Sequence, residues 1–378
     1  MLDRRLLVAL PLLLAPLRAR AADDPPAAAV EETAEAAPAV EAAAPAAPAA
    51  VIQADVAPSL VLYKWEGTSL ALGGLLQLQL APYVGNDSLL ADGDVAQRAG
   101  FRLRRARIGF DAHFPADLRF LLVINPLSSD TETGTIAEAT LSYSPRPWLR
   151  FRAGADKVPF TYGELQSSAT LDTIELPLSI RKFVPDRRLG LIVDGALGGG
   201  ALSYLVGVMN ATEGYERGNQ FTGVIYVARL QGGLGGIHAG VGGYLEDGPA
   251  TTVVAASADV ELAAGGAGLL AEALCDRTTP VDSPMTSPTV ADKVTRCGAY
   301  AQVSYRFPWY GFQPVARLEW IDDNTDVDDA GDAWLLTAGF NARLAPHFRF
   351  QADYFGRYER FGAARANDSV VLMLQGDF

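Results

Sequence analysis

Trp334-Leu335-Leu336-Thr337-Ala338-Gly339-Phe340-Asn341-Ala342-Arg343-Leu344 alternates in steps of two. Trp334, Leu336, Ala338, Phe340, Ala342 and Leu344 share one face; Thr337, Gly339, Asn341 and Arg343 share the other. The next run sets Phe348, Phe350, Ala352, Tyr354, Gly356 and Tyr358 against Arg349, Gln351, Asp353, Phe355 and Arg357. The last opposes Val370, Leu372, Leu374 and Phe378 to Val371, Met373, Gln375 and Asp377. Period two over nine to twelve residues is a half-buried strand long enough to cross a bilayer at a tilt. Strands of a soluble sandwich are shorter, about five or six residues.

Working back from this end, sixteen such segments follow one another from 68–83 to 368–378. Their connections alternate between tight and long. Phe114-Pro115-Ala116-Asp117, Pro145-Arg146, Gly232-Gly233, Ala264-Gly265, Pro308-Trp309-Tyr310 and Ala345-Pro346 are tight; 158–187, 210–220, 276–296 and 322–331 are long. Short turns on one side and long loops on the other, with an even strand count, predict an all-β fold: a transmembrane antiparallel β-barrel of about sixteen strands in a bacterial outer membrane. Its apolar face would meet lipid and lipopolysaccharide, with Tyr143, Trp148, Tyr305, Trp320, Trp334, Tyr354 and Tyr358 as girdle aromatics near strand ends. Exposed to water, such a face would aggregate.

Composition narrows the classes. The 378 residues carry 44 acids against 31 bases, a net charge of -13, which argues against a nucleic-acid partner. No apolar run outside the N-terminus is long enough for a membrane helix. Residues 1–21 read as a cleaved export signal: Arg4 and Arg5, then apolar Leu6–Leu17, then Ala19-Arg20-Ala21. Residues 22–57 hold 17 Ala, 5 Pro and 7 acids with no Lys or Arg, the composition of a disordered periplasmic spacer. The barrel would then occupy 58–378.

Inward parity is rich in arginine. In Phe101-Arg102-Leu103-Arg104-Arg105-Ala106-Arg107-Ile108-Gly109-Phe110, Phe101 and Leu103 share one parity while Ile108 and Phe110 share the opposite one. A bulge near Arg104-Arg105 repairs the pattern and turns Arg102, Arg104, Arg105 and Arg107 inward together. Arg150, Arg152, Arg119, Arg229, Arg306, Arg317, Arg343, Arg349 and Arg357 take the same side. A charge facing lipid at mid-depth costs roughly 2–4 kcal/mol, so physics enforces this parity. Guanidinium rings suit anions. Asp111, Glu138, Asp156, Asp194, Asp259, Glu261, Glu272, Glu319 and Asp353 share the inward side, however, and could neutralise many arginines in wall ion pairs. The 158–187 segment is the third outer loop and carries its own apolar residues, so it is expected to fold inward and narrow the lumen, with an external lid as the alternative.

Arg104-Arg105-Ala106-Arg107-Ile108-Gly109, then Gly154-x-x-Lys157-x-Pro159-Phe160 with Ser167-Ser168, then Arg187-Arg188-Leu189-Gly190 resemble the phosphate-selective porin O/P family of bacterial outer membranes. The resemblance implies a sixteen-stranded homotrimeric barrel with passive anion uptake, and carries over pore-lining roles to Arg104, Arg105, Arg107, Lys157, Arg187 and Arg188. Ala155-Asp156 departs from the family's Gln-Phe and puts an acid beside Lys157, and later strands carry mostly one arginine each.

Cys275 and Cys297 bracket a proline-containing loop and, in an exported chain, are expected to form a disulfide. Asp322–Asp329 mimics the start of a calcium loop, but Val327 stands where glycine is required. His113, His238 and His347 sit on separate strands without zinc spacing, and no cofactor or metal is implied. Glycines around 231–243 suit close contact or curvature. The leading expectation is a passive channel for small anionic solutes, phosphate or polyphosphate among them. A weakly selective general porin, a non-conducting structural or adhesive barrel, and a barrel enzyme are the alternatives.

Overall fold

The computed structural model describes residues 52–56, 59–85, 98–126, 136–211, 223–248, 251–280, 293–309, 311–328, 331–361 and 365–378, all within the compact unit Ala46–Phe378. The expected signal at 1–21 and the spacer as far as residue 51 lie outside the described residues.

All sixteen expected segments are strands. They are β2 (Thr68–Val84), β3 (Gly100–Phe114), β4 (Leu118–Ile124), β5 (Ile136–Arg146), β6 (Leu149–Lys157), β7 (Arg187–Leu197), β8 (Leu202–Asn210) and β9 (Val224–Leu234). There follow β10 (Ile237–Asp247), β11 (Thr251–Ala264), β12 (Ala267–Pro280), β13 (Val294–Tyr305), β14 (Gln313–Asp322), β15 (Ala333–Ala345), β16 (Phe348–Glu359) and β17 (Ser369–Asp377). Each pairs antiparallel with its sequence neighbours, and β17 pairs back onto β2 from Asp377↔Leu75 to Ser369↔Val84, closing a sixteen-stranded ring.

A further strand, β1 (Leu60–Trp65), went unread because Leu-Val-Leu-Tyr-Lys-Trp hardly alternates. It pairs with β2 from Trp65↔Thr68 to Leu60↔Leu72, beginning where β17 ends: Gly74 and Phe378 exchange both backbone hydrogen bonds. β1 therefore extends the β17 column past the chain terminus, exposed along its length.

Two turn positions move. Gly232 and Gly233 belong to β9, and the reversal falls on Gly235-Gly236, both at positive φ (62° and 85°); likewise Gly265-Gly266 (57° and 87°) replaces Ala264-Gly265. Two-residue hairpins matching the strand twist need positive φ at both central positions, which a Gly pair satisfies without strain. On the long-loop side, β12 and β13 continue to Pro280 and from Val294, so that connection is shorter than 276–296.

The outward face is apolar, with aromatics in rows. Trp320, Trp334 and Tyr358 lie side by side at the loop end of β14–β16. At the turn end Tyr305, Phe307, Trp309, Phe312, Phe340 and Phe350 contact one another in series, ring centroids 4.7–6.1 Å apart.

The inward face is not uniform. From β7 to β15 it presents Ile192, Leu205, Met209, Ile225, Val227, Tyr244, Val253, Leu270, Leu274, Tyr300 and Ile321, all buried. They pack with Val158, Phe160, Leu165, Leu178, Ile180 and Phe183 of the 158–186 connection into one apolar cluster. That connection holds two short helices, α1 (Tyr162–Leu165) and α2 (Leu178–Phe183). Its groups bond to inward side chains on opposite sides of the ring. Glu175 accepts from Arg104 of β3, Ser257 of β11 donates to the Phe160 carbonyl, and the Ile174 amide donates to Asp353 of β16. A segment touching β3, β11 and β16 at once runs across the inside of the barrel. Gly242 of β10 and Gly298 of β13 let it approach: a Cβ there would overlap the Phe160 carbonyl and the Ser179 side chain.

Candidate functional site

On β3 the parity switch is a bulge. Gln77 of β2 pairs with Arg105 and Leu78 with Leu103, which makes Arg104 the extra residue of the bulge, so Arg102, Arg104, Arg105 and Arg107 all turn inward. Arg102 Nε donates to Gln79 (2.7 Å), and Arg104 grips Glu175 with two bonds (2.6 and 2.9 Å). Arg105 donates to Gln77 (2.8 Å), and Arg107 donates to Ser168 Oγ (2.8 Å).

The expected spacer ends early. Residues 52–56 enter the lumen, with Ile52, Asp55 and Val56 buried. The Asp55 carboxylate meets Arg107 Nη1 at 2.5 Å, Lys157 Nζ at 3.3 Å and the guanidinium of Arg187. Ser168 adds its backbone N–H (3.1 Å) and its hydroxyl (3.2 Å) to the same oxygen. Lys157 also donates to the Gln166 carbonyl (2.6 Å). The residues matched to the porin family thus converge here from three strands: Arg105 and Arg107 (β3), Lys157 (β6) and Arg187 (β7). Arg188 is buried beside them and donates to the Arg187 carbonyl. The neighbouring Asp156 is turned to Arg152 (2.7 Å) and to the Lys157 backbone N–H (2.8 Å).

These groups border a cavity of about 380 Å³, lined by Arg104, Arg105, Arg107, Lys157, Arg181 and Arg187 with the acids Asp55, Glu164, Glu175 and Asp186. Burial alone would raise the Asp55 carboxyl, but Arg107, Lys157 and Arg187 hold it well below the usual carboxylate range. Glu175 is likewise held low against its burial by Arg104 and Arg105. Glu164 goes the other way: burial, then Asp186, push it up to about 8, so it is neutral at neutral pH. Six cations therefore face three ionised acids around the cavity.

Other inward arginines are matched one by one. Arg150 and Arg152 share Asp194 (2.6 and 2.8 Å), Arg119 pairs with Asp111 (2.8 Å), and Arg229 with Asp259 (2.6 Å). Arg317 pairs with Glu319 (2.7 Å), and Arg357 approaches Glu359 at 3.8 Å. Arg349 donates to the Leu171 and Ala169 carbonyls, pinning the inward connection. Arg343 donates to the Pro346 carbonyl at the rim, and Arg306 to Gln313. These do not join the basic cluster.

Sequence reasoning missed Asp55 and Glu175. Asp55 lies in a low-complexity run and Glu175 amid loop residues, and no spacing signals either. Cys275 and Cys297 form a disulfide, directly opposite each other within β12 and β13 rather than at a loop's edges.

Residues 84–264, just under half of the chain, match the sequence family described as phosphate-selective porin O and P. No curated protein matches the chain in sequence. Among solved structures the barrel resembles an anion-selective porin from Comamonas acidovorans, with TM-score 0.60 and 13% identity, covering 82% of this chain and 100% of that one. It also resembles the outer-membrane channel DcaP of Acinetobacter baumannii (TM-score 0.57, 14% identity, 84% and 99% covered) and OmpT of Vibrio cholerae (0.58, 10%, 84% and 99%). At such identities the structures speak to fold alone; with the family match over 84–264 they support an outer-membrane porin that resembles the phosphate-selective porins O and P.

Proposed function

We propose that this porin passes small anions, phosphate-class oxyanions among them, along the β3–β7 side of its lumen. The observation that carries the reading is the surplus of cations around the cavity: Arg104, Arg105, Arg107, Lys157, Arg181 and Arg187 outnumber the ionised acids facing them. Guanidinium forks and an ammonium offer an anion several exchangeable partners, so it can enter without being trapped. The inward 158–186 connection packs apolar side chains against much of the opposite side, where a second cavity of about 510 Å³ carries Asp172 and Glu261 against the single cation Arg306. Passage is passive, with no chemical step. Export by a signal over 1–21 and assembly as a homotrimer complete the proposal, the first resting on the N-terminal pattern and the second on the family likeness.

A weakly selective general pore is the second reading, favoured by the ion pairs that cancel Arg119, Arg150, Arg152, Arg229 and Arg317. The reversal potential of purified channels in planar bilayers under a potassium chloride gradient separates the two. A reversal close to the chloride equilibrium potential supports the anion route. A reversal near zero supports the general pore, and a reversal near the potassium potential refutes both.

A further inference from the structure

The basic cluster has an occupant of its own. The segment 52–56 is held at both ends and in its middle by a built set of contacts. The Ile52 side chain sits in the apolar cluster of the inward connection, and Val56 packs with Leu75, Leu121, Val123 and Ala137 of the barrel wall. Between them the Gln53 N–H donates to the Leu165 carbonyl (3.0 Å), and Ser167 N–H donates to the Gln53 side-chain oxygen (3.1 Å). The Asp55 carboxylate then receives Arg107, Lys157, Arg187 and both donors of Ser168. That donor set, two guanidinia, an ammonium, a hydroxyl and an amide around two oxygens, is the set an inorganic oxyanion would choose.

Two observations say the site is built for more negative charge than one carboxylate. The Nε–H groups of Arg105, Arg107 and Arg187 are buried and meet no acceptor among the described residues. Around Asp55, moreover, the cations Arg104, Arg105, Arg107, Lys157 and Arg187 outnumber by one the acids Asp55, Glu138, Glu175 and Asp186, with Glu164 protonated.

We infer that Ile52–Val56 is a tethered internal anion: Asp55 holds the Arg107–Lys157–Arg187 site in the resting channel, and a dianionic oxyanion of the phosphate class occupies that site by displacing it. The inference rests on the anion reading proposed above. A tether this short, anchored where β1 begins at Leu60, presents its carboxylate at an effective concentration on the order of millimolar, so the incoming anion competes at millimolar concentration. Monovalent chloride, with one charge and no oxygen fork, displaces it less well.

The test uses the full chain in planar bilayers, with inorganic phosphate as the probe. Asp55→Asn keeps the shape and removes the charge. Phosphate should then inhibit chloride current at a concentration about tenfold lower than in the wild type, because its competitor is gone. Heat-modifiable gel mobility verifies that the variant barrel is folded. Because Asp55 lies outside the strands, a folded barrel is expected. In parallel, Ala54→Cys carrying a nitroxide reports the segment directly: its spectrum should become mobile in phosphate and stay immobile in equimolar chloride. Identical phosphate inhibition in wild type and Asp55→Asn, or an immobile label at saturating phosphate, overturns the inference while leaving an anion-selective channel intact. Cation selectivity in both proteins refutes instead the anion reading beneath it.

Discussion

The two sides of this lumen are built from the same strand geometry and do opposite things. Along β3–β7 the inward positions carry Arg105, Arg107, Arg152, Lys157 and Arg187. Along β7–β15 the same parity carries Ile192, Leu205, Ile225, Val227, Leu270 and Ile321, interspersed with the closed ion pairs Arg229–Asp259 and Arg317–Glu319. The second side is a core: the 158–186 connection packs against it as a soluble protein's loop packs against a sheet. The first side borders the basic cavity, while a second cavity of about 510 Å³ lies against β11–β14 at their turn ends. In a large barrel, inward parity alone does not make a pore wall; what faces it from the other side decides.

Breaking the packed side should have the largest effect. Phe160 is fully buried, its ring edge-on to Tyr244 at 4.9 Å, and its carbonyl is held by Ser257 and Arg229. Phe160→Ala should cost about 3–5 kcal/mol of stability and unseat the connection. Denaturant unfolding should show the loss, and single-channel conductance should rise.

Charge changes on the basic side should alter selectivity with less effect on stability. Glu175→Gln removes the acid gripped by Arg104 and should raise the anion-to-cation permeability ratio by about twofold. That is the ~0.5 kcal/mol by which one unit charge about 15 Å away in a water-like medium separates an anion from a cation. Reversal potentials measure it directly.

A similar shift of opposite sign should follow pH. The folded-state value of Glu164, about 8, lies above that of an unfolded glutamate, so the folded protein holds this proton over the range between them. Its contribution to stability therefore falls as pH rises from the unfolded value towards about 8. The fresh carboxylate, beside Asp186, Lys157, Arg187 and Asp55, should lower anion preference by about twofold between about pH 7 and about pH 9. Glu164→Gln should remove that step.

The smallest effect belongs at the rim: Arg343→Ala loses only a bond to the exposed Pro346 carbonyl and should leave selectivity unchanged within error.

The bulge at Arg104 was legible because a parity switch inside an arginine run has one cheap repair. Strand positions were legible for the same reason, since alternation survives small errors in turn placement. The packed side was harder to read. Runs such as Leu202–Met209 and Val224–Leu230 are apolar on both faces, the signature of strands covered on both sides. Asp55 was not legible at all. Its burial depends on a pocket assembled from β3, β6, β7 and the inward connection, residues more than 50 positions away.

The division of the lumen is tested most directly by thiol accessibility in the conducting channel. The native cysteines are joined to each other, so single cysteines can be placed at Arg104 on the basic side and at Val227 on the packed side. A negatively charged methanethiosulfonate reagent should modify Arg104→Cys rapidly and reduce current, while leaving Val227→Cys and its current untouched. Equal modification at both positions, or block only from Val227→Cys, would contradict the account.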